Sequence, residues 1–542
     1  MVQVKTRKYN FGFLKIKNVT FIGISGWIPH LLVLLLVMMT MIAISLATDL
    51  RVEICQDINK NDILFPQTEV AKKAEEFWRV FEKADITGLE AFFRENVPAD
   101  KLRQVPARDR AQRLAGLRQQ LGKELRLLKI ISPSPEETSL IIANLSNEMF
   151  RLSLVFEKQA NMLWLKGLTV DEAGPEDLAS PLPTMNLQQA LQGLEQEIEK
   201  AVKEDRFSGV VLVAKDFNPV FFKSYGLASK EFSVPNRPNT RFNLGSINKI
   251  FTKIAIAQLA QRGRLSLNDK LGKFLPDYPN AEAREKVTVR NLVNMTSGIG
   301  DFFGPEFEKT PKDLIRHNHD YLKLFAAKPL AFEPGTKQMY SNGGYVVLGE
   351  IISVAAGMDY YNYVRKNIFD AAGMKESDWF EADAIVPNLA DGYTRQVEGP
   401  EDSTTQQKDK SSSQQQPEKQ SARQDWRKNI YTRPARGSAA GGGYATAEDL
   451  LRFVRALYEG RLLNEAWTNW VFTGQELGQS NQARVDRGRW SLGIAGGAPG
   501  INAALECEAQ TGFTIIVLGN YDPPAATQVA RMIRRYLGAV KK

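Results

Sequence analysis

The chain has 542 residues, of which 70 are lysine or arginine and 62 are aspartate or glutamate, so its formal net charge is +8. This length exceeds what one hydrophobic core usually supports and predicts two or three folded units. The basic residues are not concentrated in one stripe, which argues against a nucleic-acid partner, and two cysteines are too few for a disulfide framework.

The N-terminal segment has the charge pattern of an exported or membrane-anchored protein. Residues 1–20 carry five lysine and arginine residues, and residues 21–47 are strongly apolar without any acidic residue, lysine or arginine. An apolar run of this length either spans a bilayer or directs export, and its basic side is expected to stay in the cytoplasm. We therefore expect the chain after Thr48 to be extracytoplasmic, periplasmic or extracellular. Segment 21–47 is either kept as a transmembrane anchor or removed as a signal after Ala47.

Residues 66–170 predict a small α+β domain of unknown role. Apolar residues recur with helical spacing from Thr68, further helical stretches follow, and four strand-like runs lie between 124 and 168. This segment has no histidine, no cysteine and no carboxylate pair with an evident partner, so we assign it no chemistry. Prolines, a glycine and acidic residues at 171–186 predict a linker.

Residues 187–542 predict a larger α+β domain. An amphipathic helix begins at Leu187, two strands follow near 208–226, and strand-like runs with a closing helix return after Trp490. The stretch between them is mainly helical, which indicates one sheet with flanking helices and an inserted helical subdomain. Residues 396–428 are polar and low in complexity, which predicts a disordered loop.

A serine and a lysine at the entrance of an apolar helix form a candidate catalytic pair. Ser246 and Lys249 are three residues apart, so on a helix the hydroxyl and the amine lie on one face within hydrogen-bond reach. The positive helix end and burial both disfavour an ammonium, so Lys249 is expected to be partly neutral near pH 7 and able to take the serine proton. The alternative is a serine cap beside a surface lysine. Catalysis is favoured because this Ser-x-x-Lys is the only one in the chain and opens a helix that is apolar on most sides.

Histidine-based catalysis is disfavoured, and no metal or cofactor is expected. His30 lies inside the apolar run, His317 and His319 lie in a polar stretch, and the chain has no Gly-x-Ser-x-Gly motif. No Cys/His cluster accompanies the last two histidines, so we expect them to be solvated.

Several stretches resemble the serine β-lactamase and penicillin-binding-protein superfamily. The resemblance is to its class C-like branch, which includes esterases and D-aminopeptidases, and it covers roughly residues 187–540. It is carried in chain order by FNLGSINK (242–249), GRLSLNDKLGKFLP (263–276), NLVNMTSGI (291–299), PGTKQMYSNGGY (334–345), IFDAAGM (368–374) and AGGGYATAEDLLRF (440–453). It implies a β-lactamase-like antiparallel sheet and a covalent acyl intermediate on Ser246.

The superfamily's second element, Tyr-x-Asn, occurs three times, beginning at Tyr278, Tyr340 and Tyr360. Tyr340 follows a Pro-Gly turn and precedes two glycines, which is typical of a loop that projects side chains into a cleft. We therefore select Tyr340 and Asn342. By resemblance, Tyr340 shares proton transfer with Lys249, its phenol pKa lowered by any positive charge on the amine, and Asn342 hydrogen-bonds the substrate.

The third element departs from the superfamily pattern. Related proteins usually carry Lys-Thr-Gly or His-x-Gly on a strand that lines the site, whereas this chain has Ile494 at the cationic position, followed by Gly496 and Gly497. The glycines allow a close backbone approach, so the amide groups of Ser246 and Gly497 are expected to form an oxyanion hole. A hydrogen bond to a substrate carboxylate, about 1.5 to 3 kcal/mol for a charged group, is missing at position 494.

These features predict an exported serine hydrolase that acts on small esters or amides lacking a required carboxylate. Two alternatives remain open. One is a D-Ala-D-Ala-type peptidase or a β-lactamase that uses the same site on a peptide-like substrate. The other is a non-catalytic binding or sensor protein that kept the fold and lost turnover.

Overall fold

The computed structural model describes residues 63–145, 148–159, 162–180, 182–396, 425–473, 492–508 and 511–541. The predicted basic segment 1–20, the apolar segment 21–47 and most of the predicted loop 396–428 lie outside these ranges. Within them, no helix is both long enough and apolar enough to cross a membrane.

The chain divides into two compact units between Leu178 and Ala179. The first unit packs helices against an antiparallel sheet with strand order β1-β2-β3-β4. Its elements are α1 (Glu69–Phe81), α2 (Ile86–Asn96), α3 (Ala99–Gln104), α4 (Ala107–Gln120), β1 (Leu125–Ser134), β2 (Glu137–Asn144), β3 (Met149–Gln159), β4 (Met162–Ala173) and α5 (Pro175–Leu178).

The small α+β domain follows from its apolar periodicity. Helix α1 begins at the side-chain cap of Thr68 and buries Ala74, Phe77 and Phe81 along one stripe, which packs with α2 and the sheet around one core. The predicted boundary at 170 is too early, because β4 continues to Ala173 and α5 follows directly.

The second unit is built on a five-stranded antiparallel sheet with order β13-β14-β15-β5-β6. Its strands are β5 (Gly209–Lys215), β6 (Asn218–Tyr225), β7 (Leu227–Ser229), β8 (Val234–Pro235), β9 (Phe242–Asn243), β10 (Tyr393–Thr394), β11 (Arg427–Lys428), β12 (Tyr444–Ala445), β13 (Leu492–Ala498), β14 (Ile501–Glu508) and β15 (Phe513–Gly519). Its α-helices are α6 (Leu187–Lys203), α7 (Lys249–Gln261), α8 (Leu271–Phe274), α9 (Ala281–Lys286), α10 (Val289–Val293), α11 (Pro305–Lys309), α12 (Asn342–Ala356), α13 (Tyr360–Val364), α14 (Asp370–Ala372), α15 (Ala447–Tyr458), α16 (Glu465–Thr473) and α17 (Ala525–Gly538). Short 3₁₀ turns cover Gly245–Asn248, Lys312–Leu314 and Asn318–Leu324, and a π-helical turn covers Arg365–Phe369.

Both faces of this sheet are covered. Along β5, Leu212 joins the apolar cluster of the helical subdomain, whereas its neighbours Val211 and Val213 join the cluster formed with α6 and α17. This alternation follows the two-residue period of a strand and explains why β5 reads as a continuous apolar run. The predicted sheet with flanking helices and an inserted helical subdomain is therefore confirmed.

The predicted loop 396–428 is wrong at its C-terminal end. Arg427 and Lys428 form β11, which pairs antiparallel with β10. The indole nitrogen of Trp426 donates to Asp205 at 2.6 Å. Tertiary contacts therefore hold residues 426–428 in a defined conformation, although their composition predicts a polar loop.

Candidate active site

Ser246 lies where a short strand turns into the buried helix α7. Asn243 of β9 pairs with Tyr444 of β12, and its side-chain oxygen accepts from the amide of Gly245 at 2.9 Å. Gly245 has a φ of +50°, a left-handed conformation that glycine adopts without steric cost, and this bend leads into the 3₁₀ turn containing Ser246. Ser246 therefore lies at the entrance of an apolar, buried helix, as the sequence predicts.

Lys249, the first residue of α7, is buried beside Ser246. Only 7% of its surface is exposed, and its Nζ lies 3.1 Å from Ser246 Oγ, 2.7 Å from Asn342 Oδ1 and 2.6 Å from the carbonyl oxygen of Ala440. Burial lowers the pKa of Lys249 to about 7, and the charge of Asp301 partly opposes this shift. A neutral amine has two N–H donors and one lone pair, so it can donate to the two carbonyl oxygens and accept the serine proton.

Tyr340 completes the contact on the other side of the serine. Its hydroxyl lies 2.6 Å from Ser246 Oγ, although 53% of the residue's surface is exposed. The predicted lowering of its phenol pKa is wrong: desolvation of the hydroxyl raises the pKa, the hydrogen bond to Ser246 lowers it less, and Asp301 adds to the rise. Tyr340 therefore stays protonated and is suited to donate a proton, while Lys249 is suited to accept one.

Asn342 contacts the lysine in this arrangement and also lines the cleft, so its hydrogen bond to a substrate stays a prediction. Its Oδ1 accepts from Lys249, and its Nδ2 donates to Asp301 Oδ2 at 2.7 Å. Sequence reasoning missed Asp301, which lies two residues after the quoted run that ends at Ile299. Its own position carries no motif, and the contact with Asn342 spans 41 residues of chain.

Gly496 and Gly497 place the edge strand β13 directly against the serine turn. A Cβ on Gly496 would lie 2.0 Å from the carbonyl oxygen of Leu244 and 3.0 Å from the amide nitrogen of Ser246. A Cβ on Gly245 would lie 3.0 Å from the amide nitrogen of Gly497. The backbone approach therefore requires glycine and brings the amides of Ser246 and Gly497 to one locality, as an oxyanion hole needs.

A cleft of about 1330 Å³ opens in front of Ser246. Tyr340, Asn342 and Gly497 line it together with a group of aromatic side chains, namely Phe302, Phe303, Phe307, Tyr321, Phe380 and Tyr431. Ile494 is half-buried and packs against the apolar core, so the position that carries a cation in the superfamily pattern is apolar here.

We expect the rate at which Ser246 is acylated to rise with pH through about 7 and then level off. The base must be unprotonated, and the pKa of Lys249 is lowered to about 7, so the active fraction grows as the pH passes that value. The pKa of Tyr340 is raised above its ordinary value, so its deprotonation should cause no decline up to about pH 9. The measurement is the second-order labelling rate with a neutral fluorophosphonate. A rate that falls between about pH 6 and 8 would contradict the assignment of Lys249 as base.

A buried Ser-x-x-Lys pair that meets a Tyr-x-Asn loop beside the edge strand of an antiparallel sheet defines the class of serine β-lactamase-like and penicillin-binding proteins. The chain belongs to the Beta-lactamase family, whose model matches residues 194–537. It is 28% identical over 334 residues to Penicillin-binding protein 4* of Bacillus subtilis (strain 168), which covers 59% of this chain and 69% of that protein. The solved structure of a penicillin binding protein from Bacillus halodurans has a TM-score of 0.50 and 28% identity, covering 62% of this chain and 98% of that chain.

Proposed function

We propose that the protein is a serine hydrolase that forms an acyl-enzyme on Ser246 and acts on small esters or amides. The observation that carries the proposal is the unbroken set of contacts from Lys249 Nζ through Ser246 Oγ to the Tyr340 hydroxyl, at 3.1 and 2.6 Å. One residue of this set is a buried amine that can accept a proton near neutral pH, and another is a phenol that remains protonated.

The steps follow from these roles. Lys249 takes the hydroxyl proton as Ser246 Oγ bonds to the substrate carbonyl carbon, and the amides of Ser246 and Gly497 stabilise the oxyanion. Tyr340 then donates its proton to the leaving alcohol or amine as that bond breaks. The ammonium of Lys249, which holds the former serine proton, gives that proton to the Tyr340 phenolate, so both groups regain their starting charge. Water next attacks the carbonyl carbon of the acyl-enzyme. Lys249 and Tyr340 take the proton of this water and deliver a proton to Ser246 Oγ, so the acid product leaves and the serine hydroxyl is restored.

Because the cationic position of the superfamily pattern is the apolar Ile494 here, the site favours substrates that have no carboxylate directed toward this residue. A peptidase or β-lactamase of the D-Ala-D-Ala type is the second candidate, because the chain belongs to the Beta-lactamase family and carries the Ser-x-x-Lys and Tyr-x-Asn patterns of the superfamily it resembles. A non-catalytic binding protein is disfavoured because the contacts that would activate Ser246 are all present.

A panel of short-chain 4-nitrophenyl esters, D-amino-acid peptides and a chromogenic cephalosporin tests the proposal on the purified protein. Turnover of the esters with an acyl adduct on Ser246 is expected. Turnover of the cephalosporin alone would favour the second candidate, and no adduct with any reagent would reject acyl transfer.

The charge pattern of residues 1–47 also supports an extracytoplasmic location, with the N-terminal segment as anchor or signal. Two reporters fused after residue 60, one active only inside and one only outside the cytoplasm, test this expectation. Activity of the cytoplasmic reporter alone would reject it.

A further inference from the structure

Arg433 lies on the wall of the cleft and belongs to a loop that is tied to the far end of β13. It lines the cleft together with Ser246, Pro499 and Ile501. The loop is held there because the Asn429 side chain donates to the carbonyl oxygen of Pro499 at 2.8 Å. Arg433 is therefore next to the turn at which β13 ends.

Arg433 and Ile494 lie toward opposite ends of β13, on either side of Gly497. A strand rises about 3.3 Å per residue, so Ile494 lies about 10 Å from Gly497 along β13 in one direction, and the Pro499 turn lies about 7 Å away in the other. A substrate whose carbonyl oxygen occupies the oxyanion hole at Gly497 thus has one part directed toward Ile494 and the other toward Arg433.

The guanidinium is fixed relative to the nucleophile. Its Nη1 donates to the Tyr444 hydroxyl at 2.8 Å, and Tyr444 pairs with Asn243, three residues before Ser246. Among the described residues this is the one side-chain hydrogen bond of Arg433, which leaves most of its donor fork available for a planar, bidentate partner.

The charges of the described residues around Arg433 also favour an anionic ligand. The described residues that line the cleft include five basic side chains, Lys309, Lys312, Arg427, Lys428 and Arg433, and one acidic side chain, Glu308. Lys428 is paired with Glu231 and Asp391 at 2.8 and 3.1 Å, and Arg427 is exposed. In the parts of the chain that the structure describes, half-buried Arg433 has no carboxylate within ion-pair distance. A partly desolvated, unpaired cation in a cleft is stabilised by an anionic ligand.

We propose that Arg433 binds a carboxylate of the substrate, on the side of the reacting carbonyl that lies opposite Ile494. This inference rests on the proposed acyl transfer at Ser246. It names the substrates as acyl compounds with an acidic group at one end and an apolar part that fits the aromatic wall of the cleft. In this arrangement the substrate carboxylate is bound near the C-terminal end of β13, whereas in the superfamily pattern the cation lies at the position of Ile494.

The test compares two pairs of esters in the wild type and in Arg433→Gln. The first pair, 4-nitrophenyl hexanoate and 4-nitrophenyl hydrogen adipate, differs by a carboxylate on the acyl part. The second pair, the butyrates of 4-nitrophenol and 3-carboxy-4-nitrophenol, differs by a carboxylate on the leaving part. In at least one pair, Arg433→Gln should lower the acidic-to-neutral ratio of kcat/KM by roughly ten-fold, equivalent to about 1.4 kcal/mol, mainly through KM. The pair that responds identifies the part of the substrate directed toward Arg433.

Two further variants separate a specific contact from a general electrostatic effect. Arg433→Lys keeps the charge and should restore part of the ratio, whereas Lys366→Gln, at an exposed position outside the cleft lining, should leave it unchanged. An unchanged ratio in both pairs for Arg433→Gln, or an equal loss on acidic and neutral esters, overturns the inference. If no ester acylates Ser246, the proposed function fails instead. Binding of monomethyl adipate and methyl hexanoate to Ser246→Ala, with and without Arg433→Gln, then decides the carboxylate site without turnover.

Discussion

Replacing Ser246 with alanine is expected to lower ester turnover by at least about 10³-fold and to abolish labelling by a fluorophosphonate. Among the serines that the structure describes, Ser246 is the one whose hydroxyl contacts both Lys249 and Tyr340, so its loss should remove the proposed nucleophile. The loss should appear in kcat, because removing the nucleophile removes the covalent step and leaves the cleft intact.

Peptide mapping of the labelled wild type provides the direct measurement. Ser353→Ala, which removes a hydroxyl on helix α12 that contacts the carbonyl oxygen of Gly349, is the matched control and should label normally. Labelling that survives Ser246→Ala would show that the nucleophile is misassigned.

Lys249→Arg should reduce acylation by about 10² to 10⁴-fold, the usual contribution of a general base. Arginine keeps a positive charge but does not deprotonate in proteins, so it cannot accept the serine proton. The pH dependence expected from a pKa of about 7 should disappear together with the rate. If Lys249 had only a structural role, Lys249→Arg would change the stability of the fold and leave the pH dependence of acylation unchanged.

Lys253→Arg is the control for this substitution. Lys253 lies one turn further along α7, and burial likewise lowers its pKa, to about 8, but its Nζ donates to the carbonyl oxygen of Val471 and lies over the Trp470 ring. Thermal unfolding should show whether each variant remains folded. If Lys249→Arg is folded and keeps more than about a tenth of the wild-type rate, another group acts as the base.

Local sequence was sufficient for the features set within a few residues of chain. Ser246 and Lys249 are three residues apart at a helix entrance, so helix geometry alone brings hydroxyl and amine together. Apolar periodicity likewise predicted the helices and strands of both units, because burial of an apolar stripe is what stabilises such elements. Tyr340 and Asn342 are more than 90 residues away from Ser246, so their link to it came from the superfamily's Tyr-x-Asn pattern, and the turn residues around Tyr340 distinguished it from the other two occurrences.

The tertiary structure alone decided the contacts between distant segments and the charge states that depend on them. Asp301 reaches the site from one loop, and the carbonyl of Ala440 and Arg433 reach it from the connection between β11 and β12; no spacing in the chain marks any of them. The direction of the Tyr340 pKa shift was mispredicted because desolvation depends on what surrounds the hydroxyl and not on neighbours in sequence. The sequence by itself therefore determined which side chains could react. The packing of loops around Ser246 determined which of them holds a proton, which one orients the base, and where Arg433 lies without an acidic partner among the described residues.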